Sequence, residues 1–266
     1  GEDLSATALA DIPVNRLVGI ISLKGSSNSH MAIVGRALGI PTVMGAIDLP
    51  WAELEGEELI VDGFTGDVIS SPTRTLRRSY IQRQREEKIL NKDLQKLRDI
   101  PCITPDGFRF SLWVNTGLRQ DTMMSLKSGA EAVGLFRTEI PFLLRSSFPT
   151  EDEQVAIYRE QLVAFSPRPV TMRTLDIGGD KDLPYFPIEE ENPFLGWRGV
   201  RISLDHPEIF LVQIRALLRA SQGSNNLRIM LPMISNVPEL DRALELIDRA
   251  YHELTEEEGY QIERPP

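Results

Sequence analysis

The regular alternation of strands and helices over residues 101–266 constrains the fold more than any other feature of this chain. Short runs of apolar and β-branched residues predict buried strands at 109–115, 132–136, 169–173 and 227–231. Helical patterns follow these strands at 122–128, 151–165, 207–221 and 237–258. Strands that alternate with helices pair in parallel, and the helices pack on the sheet. The pattern therefore predicts an α/β fold, either half of a (β/α)8 barrel or a compact doubly wound sheet.

Half a barrel would leave strands with unpaired edges at both ends of the sheet. Proteins rarely tolerate such edges, because they pair with other chains. We therefore expect either an open sheet or an internal segment of a longer protein.

The first 72 residues predict a separate, small α/β domain. Short strands are expected at 17–23 and 42–44, with a short helix between them. A Gly-Phe-Thr-Gly turn predicts a hairpin that joins strands at 58–62 and 67–70. We place this domain at residues 1–72.

Residues 73–99 differ from both flanking regions, because they contain no glycine or proline. Apolar side chains recur there at helical spacing among many basic and acidic ones, which predicts one long amphipathic helix. We interpret this helix as a solvated linker to the β/α region at 100–266, in preference to a basic binding face.

Composition excludes several classes of function. The net charge of −10 argues against nucleic acid or an anionic membrane as the main partner. No apolar run reaches the length of a membrane span, and the N-terminal residues lack the pattern of a signal peptide. The single cysteine, Cys102, cannot form an internal disulfide, and we interpret it as structural or incidental. We expect a cytoplasmic protein.

His30 lies on a predicted turn between the first strand and a short apolar helix that Gly39 would end. Ser27, Asn28 and Ser29 all favour helix N-caps. Unpaired backbone N–H groups and the helix dipole favour negative charge at such a turn. A neutral imidazole nitrogen held there can attack phosphorus, while the amides hold phosphoryl oxygens. The alternative is that His30 is a cap or an ordinary surface residue.

Three arginines are predicted at the carboxyl ends of strands or in the loops beyond them. Arg137 ends the second strand of the β/α region, Arg173 ends the third, and Arg198 follows in a loop. Chemistry collects at this edge in barrels and open α/β sheets. Arginine binds phosphate and carboxylate through two parallel hydrogen bonds and keeps its charge. We therefore expect a site for a small anion of two or three charges.

The alternative is that each arginine pairs with a neighbouring acid. The acids available are Glu139, Asp176 and Asp180. The adjacent Gly178-Gly179 pair would let the backbone approach a ligand closely, although a plain turn would also use it.

With these residues considered together, the chain resembles the enzyme I family of the phosphoenolpyruvate-dependent phosphotransferase system. The turn around His30 matches the family's phosphohistidine turn, and the matches run in family order along nearly the whole chain. The matching stretches are residues 29–33, 36–41, 134–139, 173–181, 190–198 and 231–235.

The resemblance implies a small swivelling phosphohistidine domain, a long linker helix and the first half of a parallel phosphoenolpyruvate-binding TIM barrel. By resemblance, His30 accepts the phosphoryl group as a phosphohistidine intermediate, and Asn28 and Ser29 support the active turn. Arg137, Arg173 and Arg198 match arginines that bind phosphoenolpyruvate. The expected reaction moves a phosphoryl group to His30 and then to a histidine of a small phosphocarrier protein.

Several parts of the family pattern are expected outside this chain. The Mg²⁺ ligands, a further substrate arginine, the cysteine acid and the homodimer interface are expected beyond residue 266, and the carrier-docking subdomain before residue 1. We expect no metal ligand in this segment, and we expect it to be inactive with phosphoenolpyruvate when isolated.

One departure favours a particular branch of the family. Sugar-transporting members carry Thr-Ser-His at the active turn, whereas this chain has Asn28-Ser29-His30. Together with residues 138–141, this favours the nitrogen-related paralogue, which feeds a regulatory phosphorelay. Two other hypotheses remain: a relative of pyruvate phosphate dikinase or phosphoenolpyruvate synthase, and a non-catalytic regulatory module.

Overall fold

The computed structural model of this chain divides into two compact units, Gly1–Ile100 and Pro101–Pro266. It describes every residue except 2–3, 5–11, 13–15, 26–30, 33–34, 36–38, 118, 144, 179–182, 184, 189 and 193–194.

Two parallel strands with helical residues between them form one part of the first unit. Strand β1 (Ile20–Ser22) pairs in parallel with β2 (Thr42–Met44), so that Ile20 lies opposite Thr42. The residues between them that are described as helical are Met31, Ala32 and Gly35. A Cβ atom on Gly35 would overlap Thr42, so the missing side chain lets this helical segment contact β2 directly. The predicted strand–helix–strand order is therefore confirmed for the described residues.

A hairpin forms the other part of the first unit, as the Gly-Phe-Thr-Gly turn predicts. Strand β3 (Leu59–Asp62) pairs antiparallel with β4 (Asp67–Ser70). The Asp62 carboxylate closes the turn, because its Oδ1 accepts hydrogen bonds from the backbone N–H groups of Phe64 and Thr65.

The long helix predicted from residue 73 is present as α1 (Arg74–Gln95). Thr73 caps it by accepting a hydrogen bond from the backbone N–H of Leu76. None of its 22 residues is buried, which fits the prediction of a solvated helix. Within the described ranges, no helix combines the length and the apolar composition that crossing a bilayer requires.

The second unit contains a small hairpin followed by alternating strands and helices. Its strands are β5 (Cys102–Ile103), β6 (Arg109–Phe110), β7 (Trp113–Thr116), β8 (Ala132–Arg137), β9 (Val170–Arg173) and β10 (Leu227–Met230). Its helices are α2 (Arg119–Lys127), α3 (Glu139–Leu143), α4 (Glu151–Phe165), α5 (Val200–Asp205), α6 (Pro207–Ser221) and α7 (Val237–His252).

Four of these strands form one parallel sheet in the order β10-β9-β8-β7. The spatial order therefore follows the chain order, as it does in a β/α barrel. The predicted α/β class with a parallel sheet is confirmed, and the arrangement is consistent with part of a barrel.

The main core of this unit lies between the sheet and helices α4 and α6. Phe136 and Met172 from the sheet are buried in one cluster with Tyr158, Leu162 and Leu217 from the helices. The rings of Tyr158 and Phe136 pack edge to face, with their centroids 6.4 Å apart and their planes at 83°.

The single strand predicted at 109–115 is wrong. Strand β6 pairs antiparallel with β5 in a separate hairpin, whereas β7 joins the parallel sheet. The chain changes partner between them, where the backbone N–H of Leu112 donates to the Glu131 carboxylate instead of to a strand. Cys102 lies in β5 and is exposed.

Two short helices, α3 and α5, were not predicted, and the last helix is shorter than the pattern indicates. Helix α7 ends at His252, and a π-helical turn, Glu253–Glu257, follows it. Helices α4 and α6 have the predicted bounds. Thr150 and Glu153 form a capping box at the start of α4, where each side chain bonds the other residue's backbone N–H.

The capping box predicts a specific pH dependence of stability. Hydrogen bonds from the Arg145 guanidinium and from Thr150 lower the pKa of Glu153 to about 2. Because folding lowers this pKa, the ionised Glu153 stabilises the fold at pH values above the ordinary glutamate pKa near 4.5. This stabilisation is lost as the pH falls through about 2. Glu153→Gln should therefore lower the urea midpoint at pH 7, and its difference from wild type should shrink progressively below pH 4.5.

The matched control is Glu245→Gln, at an exposed glutamate of α7 with no ion pair among the described residues. It should leave the urea midpoint nearly unchanged across the same pH series. A Glu153→Gln effect of constant size at every pH would contradict the role assigned to the carboxylate.

Candidate active site

The carboxyl edge of the parallel sheet brings two of the predicted arginines together. Arg137 is the last residue of β8 and Arg173 is the last residue of β9, and the two are direct register partners. Met230 of β10 lies opposite Arg173 on its other side. The prediction that these strand ends meet at one edge is therefore confirmed for the backbone.

The third arginine joins this edge through a shared carboxylate. Arg173 Nη1 lies 2.9 Å from Asp176 Oδ2, and Arg198 Nη2 lies 3.1 Å from Asp176 Oδ1. The side chains are 13%, 5% and 11% exposed for Arg173, Asp176 and Arg198 respectively. One carboxylate thus holds two nearly buried guanidinium groups beside each other.

A second carboxylate also contacts Arg173. Glu139, the first residue of α3, is buried and lies 2.5 Å from Arg173 Nη2. The alternative, pairing with a neighbouring acid, is therefore observed for Arg173 and Arg198, and it reduces the positive charge that three arginines alone would concentrate. Arg137 is exposed and forms no ion pair within the described part of the chain, so its charge faces solvent.

Buried polar atoms without partners lie at the same edge. Among the described residues, no hydrogen-bond partner exists for Thr116 Oγ1, Arg173 Nε or Thr174 Oγ1. Thr116 ends β7, and Thr174 directly follows β9. Buried polar groups rarely stay unsatisfied, so these atoms are available to hydrogen-bond a ligand that binds at this edge.

The loop that carries Arg198 is held by the carboxylate of Glu190. Its two oxygens accept hydrogen bonds from the backbone N–H groups of Asn192 (3.0 Å) and Trp197 (2.9 Å). These two bonds hold the pKa of Glu190 below its ordinary value, so the carboxylate remains ionised.

Two further side chains hold the same loop against helix α5. The Trp197 indole N–H donates to Asp205 at 2.6 Å, and Arg201 donates to the backbone oxygens of Leu195 and Gly196. These bonds anchor residues 195–197, which lead directly into Arg198.

Gly178 leaves room for the residues around Arg198. Its φ is +106°, and a Cβ there would lie 2.8 Å from the Cβ of Arg198 and 3.2 Å from the backbone oxygen of Trp197. Because glycine has no side chain, the backbone at position 178 can pack directly against Trp197 and Arg198.

The predicted residues of the phosphohistidine turn, Asn28, Ser29 and His30, lie outside the described residues. What is described on either side is β1 and the helical, buried pair Met31 and Ala32. Their roles stay predictions.

No group of three or more His, Cys, Asp or Glu side chains in the described ranges is arranged to hold a metal ion. The described acids of the site, Glu139 and Asp176, are engaged by arginines. These residues do not fit a Mg²⁺ centre.

Comparison with known proteins agrees with this geometry. Residues 91–265 match the family model of the phosphoenolpyruvate-binding domain of phosphoenolpyruvate-utilising enzymes. Residues 1–66 match the mobile domain of the same enzymes. The chain belongs to the family of phosphoenolpyruvate-utilising enzymes.

Curated relatives of this family member carry related names. Two proteins named phosphoenolpyruvate-dependent phosphotransferase system, from Escherichia coli K12 and Salmonella typhimurium LT2, are each 48% identical over 264 residues. A phosphoenolpyruvate-protein phosphotransferase from Staphylococcus carnosus is 41% identical over 264 residues.

The chain spans only part of these relatives. The matches cover 99% of the chain for the first two and 98% for the third, but 35% and 46% of the relatives' own lengths. The E. coli and Salmonella relatives are therefore longer than the Staphylococcus one.

The shared carboxylate predicts a large stability effect at this edge. Asp176→Asn removes the negative charge between two nearly buried guanidinium groups, and breaking a buried ion pair from one side typically costs about 3 kcal/mol. We expect a loss of that order in the free energy of unfolding measured by urea denaturation.

Arg137→Gln is the matched control, because it removes a charge from the same edge at an exposed position. It should change the free energy of unfolding by about 0.5 kcal/mol or less. Equal effects of the two substitutions would refute the bridging role of Asp176.

Proposed function

We propose that this chain is a segment of a phosphoenolpyruvate–protein phosphotransferase, with its substrate site at the carboxyl edge of the parallel sheet. Arg137, Arg173 and Arg198 bind the phosphate and carboxylate groups of phosphoenolpyruvate. His30 accepts the phosphoryl group and passes it to a histidine of a small phosphocarrier protein.

The observation that carries this proposal is the grouping of arginines on Asp176 beside Arg137. The fixed positions of Arg173 and Arg198 suit a small ligand with two anionic groups, since planar guanidinium groups bind both phosphate and carboxylate. Arg173 Nε and the hydroxyls of Thr116 and Thr174 add buried polar atoms to this edge, and none of the three has a hydrogen-bond partner among the residues that the structure describes.

The reaction has a simple balance of bonds. A neutral imidazole nitrogen of His30 attacks phosphorus, and the bond between phosphorus and the enol oxygen breaks. The electron pair stays on that oxygen, and protonation of the resulting enolate at carbon gives pyruvate. The arginines stabilise the charge of the transferring phosphoryl group and orient it for in-line attack.

We assign the chain to the nitrogen-related branch within this proposal. Asn28 before Ser29-His30 is the supporting residue, and the greater identity to the longer relatives accords with a parent that carries an additional domain. The cytoplasmic location, the homodimeric parent and the Mg²⁺ requirement belong to the same proposal.

The phosphorelay predicts labelling of one histidine. The chain is incubated with a small histidine phosphocarrier that has already been phosphorylated, and its intact mass is measured. We expect an acid-labile gain of about 80 Da, the mass of one phosphoryl group. His30→Ala should abolish the gain, whereas His206→Ala and His252→Ala, at the other two histidines, should retain it.

Further arms of this assay separate the alternatives. Faster labelling from a nitrogen-branch carrier than from a sugar-branch carrier supports the assigned branch. Phosphoenolpyruvate with Mg²⁺ should label a full-length parent but not the isolated segment. Labelling that survives His30→Ala contradicts the proposed acceptor, and no labelling of segment or parent favours a non-catalytic module.

A further inference from the structure

A buried glutamine of helix α6 contacts the ends of two strands of the sheet. The Gln213 side chain is 1% exposed. Its Oε1 accepts a hydrogen bond from the backbone N–H of Leu175 at 2.8 Å. Its Nε2 donates to Thr138 Oγ1 at 3.1 Å and to the Tyr158 hydroxyl at 3.2 Å. Both amide hydrogens and the amide oxygen are therefore used.

The two hydroxyls that accept hydrogen bonds from Gln213 each donate a further hydrogen bond. Thr138 Oγ1 donates to the backbone oxygen of Arg173 at 2.7 Å. The Tyr158 hydroxyl donates to Gln154 Oε1 at 3.0 Å. Each hydroxyl accepts one bond and donates one, and the Leu175 N–H requires an acceptor, so only one orientation of the Gln213 amide satisfies every group.

The groups that Gln213 holds adjoin the residues of the candidate site. Thr138 directly follows Arg137, and Leu175 lies one residue before Asp176. Through Thr138, Gln213 also ties the backbone of Arg173 to the end of β8. The backbone around Asp176, whose carboxylate holds Arg173 and Arg198 together, is thus tied to a helix behind the sheet.

We propose that Gln213 is a positioning residue for the anion site: acting through Thr138 and the Leu175 N–H, it sets where Arg173 and Asp176 stand at the carboxyl edge. It makes no direct contact with the bound anion. This inference rests on the proposed function for the identity of that anion, phosphoenolpyruvate. The effect of Gln213 on the positions of Arg173 and Asp176 does not depend on which anion binds.

The test uses the chain labelled with ¹⁵N at arginine and leucine. The Nε–H signals of Arg173 and Arg198 are assigned with Arg173→Lys and Arg198→Lys, and hydrogen exchange is followed at the Leu175 N–H. Gln213→Leu should shift both arginine signals and accelerate exchange at Leu175 at least tenfold. In a titration with phosphoenolpyruvate, it should raise the dissociation constant about tenfold.

Matched variants separate positioning from a general loss of stability. Leu217→Ala removes a buried side chain one turn further along α6 that carries no polar group. It should lower the free energy of unfolding. The arginine signals should keep their wild-type positions, and the dissociation constant should stay within twofold of the wild-type value. If Gln213→Leu does not fold, Thr138→Val should reproduce its effects, and Thr138→Ser, which keeps the hydroxyl, should restore the wild-type values.

The outcomes also distinguish this inference from the proposed function. Arginine signals that stay in their wild-type positions in Gln213→Leu or Thr138→Val overturn the positioning role, whatever the titration gives. If those signals shift but neither the wild-type chain nor a full-length parent responds to phosphoenolpyruvate, the positioning role stands and the assigned substrate fails.

Discussion

The carboxylate of Asp176 determines how the charged edge of the sheet is built. Two guanidinium groups with little access to water would repel each other, and the shared carboxylate removes that repulsion while leaving both side chains at the edge. Glu139 balances Arg173 from the other side. Because the described charges of Arg173, Arg198, Glu139 and Asp176 cancel, Arg137 supplies the net positive charge of this group. The site is therefore preorganised without a large excess of buried charge.

The helices of the second unit could be predicted where local signals mark the first turn. Thr150 and Glu153 determine the start of α4, and Pro207 determines the start of α6, because caps and first-turn prolines act over a few residues. The division of 109–115 into β6 and β7 could not be predicted in this way. It depends on which distant strand each half pairs with, and apolar runs carry no information about the partner.

The arginines of the candidate site could be predicted because strand ends in a parallel sheet share one edge. The use of Asp176 by two arginines at once could not, since it depends on the path of the loop that returns Arg198 to β9. Gln213 did leave a signal in the sequence: it occupies the apolar face of α6 with Phe210, Ile214 and Leu217, where a polar side chain needs buried partners. The roles of Asn28, Ser29 and His30 rest on the sequence alone.

The close contact at Gly178 links two positions of this sequence that are twenty residues apart. A side chain at 178 would have to adopt a backbone conformation that only glycine takes easily, and it would push against the first carbon of the Arg198 side chain. Substitutions at the two positions are in direct contact and should show epistasis. A change of anion preference that moves Arg198 must therefore either keep glycine at position 178 or change the backbone at both positions together.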